Sequence, residues 1–448
     1  MTTTRMMSDQ RREALSGSLW FLPLLMTVGA LLLGAGLAEI RLPEDGPLSP
    51  VLYHGGAEDA RRLLLSVATA TVGVFALVVG LTLVALQVAG NRYSPRLVRS
   101  FLRDRPTQLV LGMFIATFAY NAAGLYTVGA QEDYPRLAVT GGLVLLFVCI
   151  AALVFYVDRV AHSLQTHTLL NTVGLTTRRA VEARPPGIGR SAGLSGLDGV
   201  PWDEPPVGAI KLLAPRSGYV QRLQMDALMR AALGEDAVIQ LVPGIGGHVV
   251  AGTPLGWACP ANGGLVRPET LARSVNRAIT IGAGRSSYND VALGAIQMVD
   301  MALLSMHVFD YHTVEQSCAE LGVLLGRIAG LPLGPEAVVD SSGTIRVLVP
   351  GLYFGDYLEL ACGEIRRKGS SEPVVLLALV KQLRAASASA TPERLTLVRR
   401  ELEYVRAAAQ AGIPEPHEVE RVLREADRVL LLVGAGQPEH PAVQLAGL

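Results

Sequence analysis

The sequence predicts a membrane α-helical protein: four transmembrane helices with both termini cytoplasmic, then a cytoplasmic α+β region with a small β-barrel-like module followed by helices. Three observations lead there. Half of the 448-residue chain is hydrophobic and only 17% is charged, where a soluble protein carries roughly 25%. The deficit is concentrated in four windows without Asp, Glu, Lys or Arg (residues 14–38, 63–91, 106–131 and 137–157). Each is long enough for the roughly 20 apolar residues that cross a bilayer. Finally, the composition from about residue 161 onward is that of an ordinary soluble protein.

This composition excludes a disordered or collagen-like chain. The 39 basic and 39 acidic residues cancel, which argues against a nucleic-acid partner held by phosphate neutralisation. The 4 cysteines form no CxxC pair, so neither a disulfide framework nor a zinc knuckle is expected.

Backbone in hydrocarbon must satisfy its own hydrogen bonds, so each charge-free window is expected to be a helix. The first is too long for a signal-peptide core and no A-x-A site closes it, so it reads as a retained span. Orientation follows arginine placement. Arg5, Arg11 and Arg12 in the N-terminal tail, with Arg92, Arg96, Arg99, Arg103 and Arg105 in the second loop, mark the cytoplasmic side. The first and third loops are relatively acidic. The expected location is a membrane crossed several times, with the N and C termini cytoplasmic.

In the second span Ser66, Gly73, Gly80 and Gln87 recur every seven residues, with Thr69 and Ala76 beside them. Such a seam lets helices pack closely or lines a water-filled path. In the third span Thr117, Asn121 and Gly124 share a face, and an asparagine in mid-membrane needs a partner. Ser66, Thr69, Gly73, Gly80, Gln87, Thr117 and Asn121 are therefore the pore-lining candidates. The spans hold no acid, base or histidine of the kind that proton-coupled pumps use, so any pathway is expected to be passive. In the second loop Ser94 and Pro95 suit a helix start. Arg96, Arg99 and Arg103 then share one face and Leu97, Val98, Phe101 and Leu102 lie largely on the other. This basic face, with Arg92, would anchor to anionic lipid headgroups; in an oligomer it would ring a cytoplasmic mouth and gather anions.

These stretches also carry a resemblance. Val84-Ala85-Leu86-Gln87-Val88-Ala89, Tyr93-Ser94-Pro95-Arg96-Leu97, Phe101-Leu102-Arg103-Asp104 and the run from Val110 to Phe118 resemble the bacterial membrane-protein family known as domain of unknown function 2254. The likeness spans most of the chain and implies four spans followed by a large cytoplasmic region. Val299-Asp300-Met301-Ala302-Leu303 and Ser305 match a second stretch of that family. The turn that follows keeps Asp310 and Thr313 but lacks the prolines, glycine and asparagine that the family places there.

Residues 161–206 are expected to form a juxtamembrane helix and a Pro/Gly-rich linker. Short strands are expected at 207–213, 218–224 and 238–242, inside a small β module over 207–265. Its turn from Pro243 to Leu255 resembles lipoyl-like barrel-sandwich domains. Lys211 lies in an apolar run before that turn, which argues against a biotin or lipoate carrier. The rest, 266–448, is expected to be mainly helical: 290–306, 313–329, 356–367, 372–386, 392–411 and 416–432, with a strand at 344–349. Thr313 and Gln316 have capping-box spacing.

His307, Asp310 and His312 are the compact group of metal-ligand types, with surface or interface histidines the preferred reading. Gly282-Ala283-Gly284 and Gly434-Ala435-Gly436 are fragments of a dinucleotide fingerprint, neither complete. Arg285 and Asp290 are expected to pair at a helix start. No catalytic motif, metal site or cofactor site is assigned, and an enzyme is not expected. The expected activity is that of a homo-oligomeric passive pore, anion-preferring, with the cytoplasmic region as vestibule or gate. The alternative is a membrane-anchored sensor or scaffold whose cytoplasmic region binds a small ligand or partner protein.

Overall fold

The computed structural model describes residues 21–39, 52–92, 105–127, 135–163, 166–182, 190–192, 205–206, 208–261, 266–286 and 289–434. The chain divides into two compact units, Met1–Gln165 and Thr166–Leu448.

The first unit is helical: α1 (Phe21–Glu39), α2 (Ala57–Arg92), α3 (Arg105–Thr127) and α4 (Arg136–Ser163). Glu58 and Asp59 in the first turn of α2 suit the positive end of the helix dipole. Three stretches are long and apolar enough to cross a membrane: Ala57–Val84, Pro106–Tyr126 and Arg136–Val160. The first window of the four expected differs. Its described apolar stretch, Phe21–Leu37, rises about 26 Å at 1.5 Å per residue, short of the roughly 30 Å hydrocarbon core. Residues 14–20, which completed that window in the sequence, lie outside the described residues.

Glycines set how closely these helices approach. A methyl group at Gly112 of α3 would lie 3.1 Å from the Pro23 Cα of α1, and one at Gly124 would lie 3.4 Å from Leu64 of α2. On α4, Gly141 faces Tyr120 and Gly142 faces Asn121. One interior cluster joins Val78 of α2, Val110 and Phe114 of α3, and Cys149 and Tyr156 of α4.

The second unit opens with α5 (Thr166–Glu182) and continues β1 (Arg190–Ala192), β2 (Ile210–Leu213), β3 (Gly218–Leu223), α6 (Met225–Gly234), β4 (Ala237–Leu241), β5 (His248–Val249), β6 (Pro254–Pro260), α7 (Pro268–Ala278) and β7 (Ile279–Gly282). After α8 (Val291–His307) and α9 (Tyr311–Ala329) come β8 (Glu336–Val339), β9 (Ile345–Val349), α10 (Phe354–Lys368), α11 (Pro373–Ser387), α12 (Pro392–Gly412) and α13 (Pro416–Gly434). The strands form two sheets, a six-stranded one in the order β1-β8-β9-β4-β6-β2 and a three-stranded one in the order β5-β3-β7. The β module expected over 207–265 is seen as strands of these two sheets, without a closed barrel among the described residues. Its strands divide between the two sheets and take partners from outside the window, including β9, which runs parallel to β4. Turn residues report local hairpins; they carry no information about a parallel neighbour more than a hundred residues away.

β3 and β7 alternate buried and part-exposed residues, whereas β4 and β6 are buried over consecutive residues. Val220, Ile239, Leu241, Leu255, Ile281 and Val347 are buried and meet Leu228 of α6 and Leu271 and Val275 of α7. Beyond the sheets the unit is helical. α5 packs on α8 and α9, where Gly294 leaves room for Thr177 and Arg178 pairs with Glu320 at 3.2 Å. Gly322 and Gly326, one turn apart on α9, let the backbone of α11 approach at Gln382 and Ala385. The expected capping box at Thr313 shifts by one turn. Asp310 is the N-cap, accepting from the Thr313 amide at 3.1 Å and the Thr313 hydroxyl at 2.7 Å. A carboxylate can accept both, so the aspartate takes the cap and Thr313 becomes its donor.

Candidate functional site

The polar residues singled out in the spans occupy two different places. Ser66, Thr69, Gly73, Gly80 and Gln87 all lie on the exposed side of α2. The Ser66 and Thr69 hydroxyls donate back to the carbonyls of Arg62 at 2.7 Å and Leu65 at 2.8 Å, so their polarity is satisfied within the helix. A methyl group at Gly73 or Gly80 would meet nothing within 4 Å, in contrast to Gly112, Gly124, Gly141 and Gly142. Gly29 and Gly36 of α1 are equally open.

Thr117 and Asn121 instead point into the bundle and are fully buried. Thr117 shares a hydrogen bond with Cys149 at 3.1 Å, joining α3 to α4. Asn121 donates to the Thr117 carbonyl at 2.8 Å, while its side-chain oxygen lies buried beside Gly142 with no hydrogen-bond donor. The structure thus brings Thr117 and Asn121 together with Cys149 and keeps them apart from the α2 seam. Two tyrosines complete this interior. Tyr120 donates to the Ala138 carbonyl at 2.8 Å, and the Tyr156 hydroxyl bonds that of Thr82. Their signal was the recurrence of Thr and Tyr on faces that only the packing reveals to be inward.

Of the basic face, Arg92 is the last residue of α2, and Arg96, Arg99 and Arg103 lie outside the described residues.

In the second unit the metal-ligand types do not converge. Asp310 is occupied as a helix cap, the His312 ring is within hydrogen-bonding distance of the Gln316 amide at 3.0 Å, and His307 is exposed. Among the described residues no group of three or more His, Cys, Asp or Glu side chains could hold a metal.

Arg285 and Asp290 pair as expected, through two bonds of 2.7 and 2.8 Å. Asp290 also caps α8 by accepting from the Leu293 amide at 2.9 Å. Gly246, in the turn after β4, has φ +85° and lies against this pair: a methyl group there would be 2.8 Å from an Arg285 nitrogen. The lipoyl-like turn is therefore seated on a structural ion pair and carries no lysine. Gly282-Ala283-Gly284 forms the end of β7 and the turn after it, where the Gly284 carbonyl accepts from Gln221 at 2.7 Å.

Cys318 and Cys362 are fully buried. Burial pushes the Cys318 thiol up to about 12 and raises Cys362 in the same direction, so both stay protonated and inert as nucleophiles. Arg346, with 9% of its side chain exposed, bridges Asp236 and Asp340 at 2.7 Å each. Ser342 and Arg346 hold the Asp340 carboxyl well below the usual carboxylate range. Glu401 moves the opposite way: burial raises it despite Arg366 at 2.9 Å. These groups fix helices and strands to one another.

An uncharacterised protein from Mycobacterium bovis and another from Mycobacterium tuberculosis are each 34% identical over 447 residues, covering 97% of this chain and 84% of the relative. No solved structure matches. Residues 16–385 match the family described as predicted membrane protein (DUF2254), and the chain belongs to that family.

Proposed function

We propose that this membrane protein assembles through α2 into a homo-oligomer whose shared seam lines a passive, anion-preferring path. The observation that carries this is the open face of α2. α3 and α4 use glycines for close approach to a neighbour, whereas Gly73 and Gly80 on α2, like Gly29 and Gly36 on α1, meet nothing, and on α2 they align with the exposed polar residues Ser66, Thr69 and Gln87. Small residues on a span are useful where another backbone comes close or where water must pass; against lipid tails they gain nothing. Because Thr117 and Asn121 are sealed inside the protomer, the lining falls to Ser66, Thr69, Gly73, Gly80 and Gln87 alone.

In this proposal the first apolar helix completes a fourth span with the residues before Phe21. Arginine placement puts both termini on the cytoplasmic side of a bacterial inner membrane. The second unit is the proposed vestibule or gate, and the charges of Arg92, Arg96, Arg99 and Arg103 supply the proposed anion preference and the attraction to anionic headgroups. Oligomeric state in detergent, followed by conductance in planar bilayers, tests it. Gln87→Leu should lower conductance and Arg96→Glu should shift ion preference toward cations. A monomer, or an oligomer that passes no current, rules the proposal out.

A further inference from the structure

The second unit has a groove of about 440 Å³ between α11 and α13. That size suits a small ligand. Its floor is aliphatic, with Leu377 on α11 facing Val429 and Leu432 on α13. Its rim is cationic, with Lys381, Arg384 and Arg428 against the single acid Glu425. Lys381 reaches Glu315 at 3.3 Å and Arg428 reaches Glu425, both as exposed pairs; such pairs are weak and exchange readily for another carboxylate. Arg384 is exposed and pairs with no carboxylate among the described residues.

We propose that this groove binds a fatty-acid anion, its chain on Leu377, Val429 and Leu432 and its carboxylate on Arg384. The rim selects an anion, and a guanidinium matches a carboxylate in a two-point fork. The floor offers no aromatic ring on which a base would stack and, being walled by helices, no strand edge to extend. This binding is independent of the proposed conduction path and stands or falls without it.

The test uses the full-length protein in lipid nanodiscs, a photoactivatable diazirine fatty acid, and mass-spectrometric mapping of the labelled peptides. Label is expected in the peptides of α11 and α13. Decanoate should compete, while decanol and acetate should not. Arg384→Glu, at an exposed position, should raise the half-competing decanoate concentration about tenfold, and Arg384→Lys, which keeps the charge but loses the two-point fork, should fall between the two. Label confined to the membrane spans, equal competition by decanol, or no change in Arg384→Glu would each overturn the proposal. Competition by an acidic peptide but not by decanoate would also overturn it and assign the groove to a protein partner.

Discussion

Asp290 does two jobs with one carboxylate, so Asp290→Ala tests how the second unit is held together. Its side chain is 3% exposed and takes both bonds from Arg285 while capping α8. Removing one member of a buried pair costs about 3–5 kcal/mol, and removing a cap costs about 0.5–2 kcal/mol. The Arg285 side chain is 23% exposed, so its abandoned charge recovers some water and the pair cost falls at the low end. The expected loss is about 4 kcal/mol. With a urea slope of about 3 kcal/mol/M, the midpoint should fall by about 1.3 M. Trp257 is 4% exposed within this unit and reports its unfolding in full-length protein carrying Trp20→Phe and Trp202→Phe. Asp290→Asn retains an acceptor for the Leu293 amide and should lose about 1 kcal/mol less. Arg285→Ala combined with Asp290→Ala should cost clearly less than the two single changes added together. A midpoint shift below about 0.3 M, or simple additivity, would refute the assignment of this pair as a joint between loop, helix and sheet.

Three further outcomes follow from the geometry. Gly142→Ala places a methyl group 2.6 Å from the Asn121 side-chain oxygen and 3.0 Å from Leu64, so it should destabilise the first unit by about 1–3 kcal/mol, whereas Gly73→Ala should leave protomer stability unchanged or slightly improved; thermal melts in detergent compare them, and equal losses would contradict the helix contacts. Phe309 is 76% exposed and has φ +60°, a conformation that costs a non-glycine residue about 1–2 kcal/mol, so Phe309→Gly should stabilise by about 0.5–1 kcal/mol once the lost edge contact with Tyr311 is subtracted. For Asp340, the folded carboxyl titrates below its unfolded value near 3.9, so the unfolded chain binds more protons in that window. The stability it contributes is complete at neutral pH and declines as the pH falls below about 4, and acid titrations of unfolding should show a shallower decline in Asp340→Asn.

The sequence alone determined the elements whose signal is local. Charge-free windows marked the three helices long and apolar enough to cross a membrane, because hydrocarbon excludes ionised groups whatever the fold around them. Pro392 and Pro416 at first helical positions placed α12 and α13 within a residue or two of where they lie, and apolar periodicity did the same for α11. The pairing of Arg285 with Asp290 was readable because five residues separate them. Tertiary structure decided everything that depends on which face meets what. The heptad of Ser66, Gly73, Gly80 and Gln87 is the same string whether it faces a neighbour or open space, and only the placement of α1, α3 and α4 left it open. Thr117 and Asn121 have a pore-like pattern, yet Gly142 and Cys149 on another helix turned them inward. The parallel pairing of β4 with β9 and the groove between α11 and α13 arise from residues far apart in the chain. Their proximity is a property of packing, which local periodicity does not encode.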